Sequence, residues 1–146
     1  ILDIRATLER LETLGVPVVV NGSDEFPSFF SRHSGYAAPR RLDGPAQIAR
    51  LLHATWDELG LATGVSIANP IPVEHEVPAD DISGAIEAAL AELDARGIDG
   101  QDVTPFLLAA VMERTGGRSL TANLALVRHN AATAGLIAVE YAKLRA

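Results

Sequence analysis

Only two segments of this chain read as buried strands, and both are short. Val16-Pro17-Val18-Val19-Val20 and Gly64-Val65-Ser66-Ile67-Ala68 are apolar runs without polar alternation, the pattern of a strand covered on both faces. Arg40-Arg41-Leu42 is a brief strand at best. Two firm strands cannot make a stable sheet by themselves. A helix, a glycine and then an unalternating strand nevertheless point to an α/β layered fold. The 146 residues are therefore expected to need strands from elsewhere in a longer polypeptide. The start agrees: Ile1-Leu2-Asp3-Ile4 enters an amphipathic pattern at once, with no initiator Met and no polar lead-in.

The rest of the sequence has helical period or turn chemistry. In residues 3–14, Ile4, Leu8 and Leu11 fall three or four apart, and Gly15 closes the helix. Phe26, Phe29 and Phe30 crowd one short segment, where a helical turn is expected near 27–31, followed by a loop from Gly35 to Pro39. Pro45 opens a helix whose inner face reads Ile48, Leu51, Leu52, Trp56 and Leu59, with Gly60 as its stop. Pro70 and Pro72 forbid regular structure after the second strand. Ile82, Ile86, Ala89, Leu90 and Leu93 mark a helix over 80–96 ended by Gly97. Thr104 and Pro105 are expected as N-cap and first residue of a helix over 105–115. Gly116-Gly117 breaks it, and Ser119 is expected to cap a long helix to about residue 144.

Charge and composition exclude several classes. A net charge of −7 repels nucleic-acid phosphate, so polymer binding is not expected, whereas one locally positive site could still hold a small phosphorylated ligand. The chain has no cysteine, which removes disulfides, thiolate metal sites and cysteine nucleophiles. No apolar run reaches the length of a membrane span and no signal peptide is visible; a cytoplasmic location is the default expectation.

General catalytic motifs are absent: there is no Walker A loop, GxSxG elbow, HExxH or dinucleotide fingerprint. His33, His53, His75 and His129 are scattered and read as surface or helper histidines. Glu74 and Glu76 flank His75 beside two prolines, which reads as a solvated loop. Asp24/Glu25 and Asp80/Asp81 are adjacent pairs. Neighbours on a helix point roughly 100° apart, so they do not converge on one atom, and helix-start electrostatics accounts for Asp80/Asp81. Gly116-Gly117-Arg118-Ser119 can be a phosphate-holding turn at a helix N-terminus or a plain helix–helix turn, the commoner case. Asn123 and Asn130 lie seven residues apart, on nearly one face of the long helix. Either they bond backbone within a core or they line a pocket.

Taken in order, ILDIRATLERLETL (1–14), GVPVVVNGSDEFPSFFSR (15–32), ANPIP (68–72), DVTPFLL (102–108), TGGRSLTANLALV (115–127) and Asn130-Ala131 resemble the pseudouridine-5'-phosphate glycosidase family, also called indigoidine synthase A-like. The match runs over essentially the whole chain. Two departures stand out: His129-Asn130 where the family often has paired asparagines, and Asn21-Gly22-Ser23 where a glycine-tyrosine-glycine-threonine form is commoner. The roles of His129 and Asn130 stay open.

The resemblance implies a three-layer α/β/α fold around a mixed sheet, with residues 1–146 as the C-terminal part of one domain, assembled as a homotrimer. It implies reversible cleavage of pseudouridine 5'-phosphate to uracil and ribose 5-phosphate, through ring opening and an imine on lysine. It also implies a divalent metal, typically manganese (Mn2+). The lysine nucleophile, the acid/base glutamate and the metal-binding aspartate would lie upstream of Ile1. Only Asn123, from SLxxN, is carried over, as the residue contacting the sugar or the lysine adduct. The alternative is a non-catalytic phosphosugar-binding or scaffold member of the same fold.

Overall fold

The computed structural model describes residues 3–146, without the side chains of Ala79 and Asp80. The Ile1-Leu2 start and the helix-start charge of Asp80 lie outside the described residues. Helix α1 (Ile4–Thr13) begins where Asp3 Oδ1 accepts the Ala6 N–H at 2.9 Å, an N-cap that satisfies one of the free donors of the first turn. Its apolar stripe is only half-buried. The chain turns at Gly15, φ +67°, into strand β1 (Val18–Asn21).

Strands β1, β2 (Arg41–Leu42) and β3 (Ser66–Ala68) form a sheet in the order β2-β1-β3. Both pairings are parallel, with Val20 opposite Arg41 on one side and Ala68 on the other. Val18, Val19 and Val20 are buried in succession, so both faces of the central strand are covered, which is why its sequence does not alternate. Among the described residues every strand pair is parallel; the antiparallel member of a mixed sheet is not among them.

Helix α2 (Pro45–His53) packs Ile48 and Leu52 against Ile137, with Leu42, Val65, Ile67 and Tyr141 around them. A larger cluster joins helices α3 (Ala79–Arg96), α4 (Val103–Arg114) and α5 (Arg118–Leu144) through Ile82, Ala89, Leu93, Leu107, Val111 and Leu126. The long α5 belongs to both clusters and ties the sheet half of the molecule to the helical half.

Four local expectations are corrected. Residues 27–31 are not helical: Ser28 and Ser31 exchange backbone hydrogen bonds at 2.8 and 2.9 Å, with Phe29 at φ +44°. One helical turn fixes several dihedrals for one hydrogen bond, whereas this tight turn buries Phe30, whose carbonyl accepts the Val77 N–H at 2.9 Å. After α2 the chain widens into a π-turn, Ala54–Glu58. The wider turn shifts the helical phase, so Trp56 and Leu59 leave the inner face and are 39% and 69% exposed. Asp102 rather than Thr104 precedes α4, and Pro105 sits third, where an N–H would be unpaired in any case. Gly117 rather than Ser119 caps α5; Ser119 is buried and accepts from the Thr115 hydroxyl at 3.0 Å.

Candidate functional site

At the carboxyl ends of the parallel strands, four polar side chains are joined head to tail. Val20 and Ala68 are paired in the sheet, so the residues that follow them, Asn21 and Asn69, come side by side. The Gly44 N–H donates to Asn21 Oδ1 at 3.2 Å. A backbone N–H can only donate, so the amide oxygen of Asn21 must face it, and its nitrogen must face the other way. Asn21 Nδ2 donates to Asn69 Oδ1 at 2.9 Å. Asn69 Nδ2 donates in turn to Asn130 Oδ1 at 3.0 Å and to Thr133 Oγ1 at 3.2 Å. One main-chain donor thus sets the orientation of three amides. Asn130 is left with its NH2 group, a donor, at the strand ends where open α/β sheets receive ligands.

This polar end opens on a groove of about 470 Å³ between α2, the π-turn and α5, whose walls include Leu52, Trp56, Ile67, Ile137 and Tyr141. The two aromatic rings are 5.9 Å apart, edge to face. Each is held by a hydrogen bond: Trp56 Nε1 donates to the Thr63 carbonyl at 2.9 Å, and the Tyr141 hydroxyl donates to Asp57 Oδ2 at 2.5 Å. The bond to Asp57 pushes the Tyr141 hydroxyl above its ordinary pKa. Among the described residues no charged side chain lines the groove. It suits apolar surface, with an oxygen acceptor at its Asn130 end.

Asn123 is half-buried on α5, roughly 10 Å along the helix from Asn130, and stands outside the amide chain. Arg118 pairs with Asp81 at 2.9 Å, and Gly116 and Gly117 both have positive φ; the Gly-Gly-Arg-Ser segment is a helix–helix turn with its arginine engaged. Glu25 clasps its own loop, accepting from the Ser34 N–H at 2.6 Å, the Gly35 N–H at 2.5 Å and His33 Nδ1 at 2.9 Å. The His33 bond first, and then the Gly35 and Ser34 donors, hold its carboxyl below the ordinary range. Glu76 accepts from the Ser31 hydroxyl at 2.8 Å and the Arg32 N–H at 2.7 Å, while Glu74 and His75 are exposed. Among the described residues no three His, Asp or Glu side chains converge as a metal site. The chain's one lysine, Lys143, is exposed and ion-paired with Glu140 at 2.6 Å, unlike the desolvated amine that imine chemistry requires.

Sequence reasoning singled out Asn130 but missed Asn21 and Asn69 as its partners. The signal was there: each strand-forming run ends in an asparagine, as VVVN and SIAN.

Over residues 1–140 the chain matches the family described as indigoidine synthase A like protein. It is 62% identical over 145 residues to a protein of Nocardioides sp. (strain JS614) named pseudouridine-5'-phosphate glycosidase, covering 99% of this chain and 47% of that one. A protein of the same name from Deinococcus radiodurans is 54% identical over 144 residues, with 99% and 46% covered. Among solved structures, a prealnumycin C-glycosynthase in complex with ribulose 5-phosphate superimposes with a TM-score of 0.83 at 31% identity, over 97% of this chain and 46% of that one. An indigoidine synthase A-like protein from Thermotoga maritima gives a TM-score of 0.81 at 40% identity, over 94% and 45%. The chain spans about half the length of these relatives.

Proposed function

The chain belongs to the indigoidine synthase A-like family, and we propose that it supplies the C-terminal part of a pseudouridine-5'-phosphate glycosidase, which adds water across the C-glycosidic bond to release uracil and ribose 5-phosphate. The observation that carries this reading is the 62% identity to a protein of that name over 99% of the chain. A structural relative named for making C-glycosides, and seen with a pentulose phosphate, supports the same bond and the same class of sugar.

The bond sets what the site must supply. A carbon–carbon glycosidic link has no bridging oxygen to protonate, so the usual two-carboxylate route is weak. An open-chain sugar joined to lysine as an imine supplies an electron sink at the anomeric carbon, and a general acid assists the departing uracil carbon. In this reading the lysine, the acid/base glutamate and the ligands of a divalent metal come from the rest of the protein. This chain contributes Asn123 as a hydrogen-bonding contact to the sugar or its lysine adduct, acting through position rather than protonation. The homotrimer and manganese belong to the same proposal and rest on the family resemblance; the cytoplasmic location joins it as the default expectation.

The test is uracil release from pseudouridine 5'-phosphate by the full-length, folded, manganese-loaded protein. Borohydride with ribose 5-phosphate is expected to trap an adduct on a lysine outside residues 1–146. Asn123→Ala is expected to lower activity strongly while the melting temperature moves little; a collapsed fold would make Asn123 a structural amide instead. Ribose 5-phosphate binding without turnover in the wild type would favour the non-catalytic phosphosugar-binding alternative.

A further inference from the structure

Along α5, Leu120, Leu124, Val127, Ala131, Ala134 and Ala138 follow one another at steps of four and three residues, the spacing of a helix–helix seam. All six are exposed, Leu120 by 44%, Leu124 by 49% and Val127 by 57%. The stripe runs into the groove, whose wall includes Ala134, Ala138 and Tyr141. A neighbouring stripe of the same helix, Ala122, Leu126, Thr133 and Ile137, is already buried. A helix apolar well beyond its buried stripe belongs inside a protein rather than on its surface. From Leu120 to Ala138 the stripe extends over roughly 27 Å of the helix, and exposed apolar surface of that extent marks an interaction site.

We propose that the remaining part of the protein docks on this face as a helix laid along the α5 seam, filling the groove and closing the site over Asn123 and Asn130. The inference rests on the reading above that this chain is one part of a divided site. The relatives carry about as much chain again as this one matches. Helical phase places Asn123, Val127, Asn130 and Ala134 within one sector of α5, at the border between seam and groove. The small side chains at 131, 134 and 138 permit close approach of a second helix. One occupant then accounts for the seam, for the groove and for the reactive amine this chain lacks; a second copy accounts only for the seam.

The experiment is to co-express the chain with the tagged remaining part of the Nocardioides relative, the portion to which this chain does not align. The expected result is a one-to-one complex, with slowed hydrogen exchange in α5 and around Trp56. Leu124→Glu with Val127→Glu, at exposed positions where helical circular dichroism should be retained, is expected to abolish the complex. Val139→Glu, 54% exposed on another side of α5, is expected to leave it intact. Recovery of the chain free of its tagged partner would overturn the proposal. So would self-association through the seam, or a complex insensitive to the double substitution. A complex that forms but releases no uracil would sink the glycosidase reading and leave the docking surface standing.

Discussion

Asn69 serves three partners through one amide, and its loss should be felt at each. Asn69→Ala leaves Asn21 Nδ2 and Asn130 Oδ1 without their bonds. Exposed Asn130 can bond water instead, but Asn21 is partly buried, and an unpaired donor there costs about 1 kcal/mol, the low end for a buried group, so a lowered urea midpoint with an unchanged slope is expected. Asn69→Asp is the sharper test. It keeps the shape, but an ionised carboxylate cannot donate to Asn130 Oδ1, so the variant should be destabilised at neutral pH and recover in part as acid protonates it. Equal stability of wild type and both variants would strip the amide chain of structural weight. Glu25 makes the opposite pH prediction. Its carboxyl is held below the ordinary value by His33 and by the Gly35 and Ser34 N–H groups. A depressed folded pKa contributes stability that is present above the unfolded value and is lost as pH falls through the folded one. The 33–35 loop should therefore loosen below the ordinary carboxyl range, seen as faster exchange of the Ser34 and Gly35 amides. Glu25→Gln should remove that acid-dependent step.

The elements were legible where their signal is local. Period gives α1 and α3, and Pro105 with the Gly116-Gly117 break gives α4 and the start of α5, each to within a few residues, because these signals lie within or beside the segment they mark. The two firm strands were read from unbroken apolar runs. What escaped depends on neighbours far away in sequence. Asn21 meets Asn69 across 48 residues, and Asn69 meets Asn130 across 61; the sheet register makes the first meeting and the packing of α5 on β3, through Ile137 and Ile67, the second, and no window of sequence contains either. The turn at Phe29 is fixed by Phe30 entering a core built largely from α3, α4 and α5, equally invisible locally. Glycine behaviour separates local from global requirements in a way that can be measured. Gly117 sits at φ +83° with open space around its missing Cβ, so Gly117→Ala meets backbone strain alone and should cost about 1–2 kcal/mol. Gly84, inside α3 and also in open space without positive φ, should behave oppositely: Gly84→Ala is expected to stabilise by about 0.4–1 kcal/mol through a less free unfolded chain. Thermal unfolding of the two variants side by side checks both signs.

At the scale of the whole molecule, the sheet is its least finished part. Among the described residues the sheet has three short strands, with β2 and β3 at its edges, and an uncovered edge invites further pairing. The side-chain cluster beside the sheet, around Ile48, Leu52 and Ile137, is the smaller of the two, and Leu42, Val65, Ile67 and Tyr141 around it are only partly buried. Whatever completes the protein should therefore stabilise the sheet side most, by binding the folded chain and not the unfolded one. The single tryptophan stands where this can be seen. Trp56 lines the groove, 39% exposed, with its indole N–H tied to Thr63. In the chain alone its fluorescence should be red-shifted and readily quenched by acrylamide. When the remaining part occupies the groove, emission should move to the blue and quenching should fall, whether or not the complex turns over substrate. The Leu124→Glu and Val127→Glu substitutions lie well away from the indole in sequence and should prevent that change without altering the spectrum of the free chain. A blue shift that survives them would place the occupant in the groove by a route that does not use the seam.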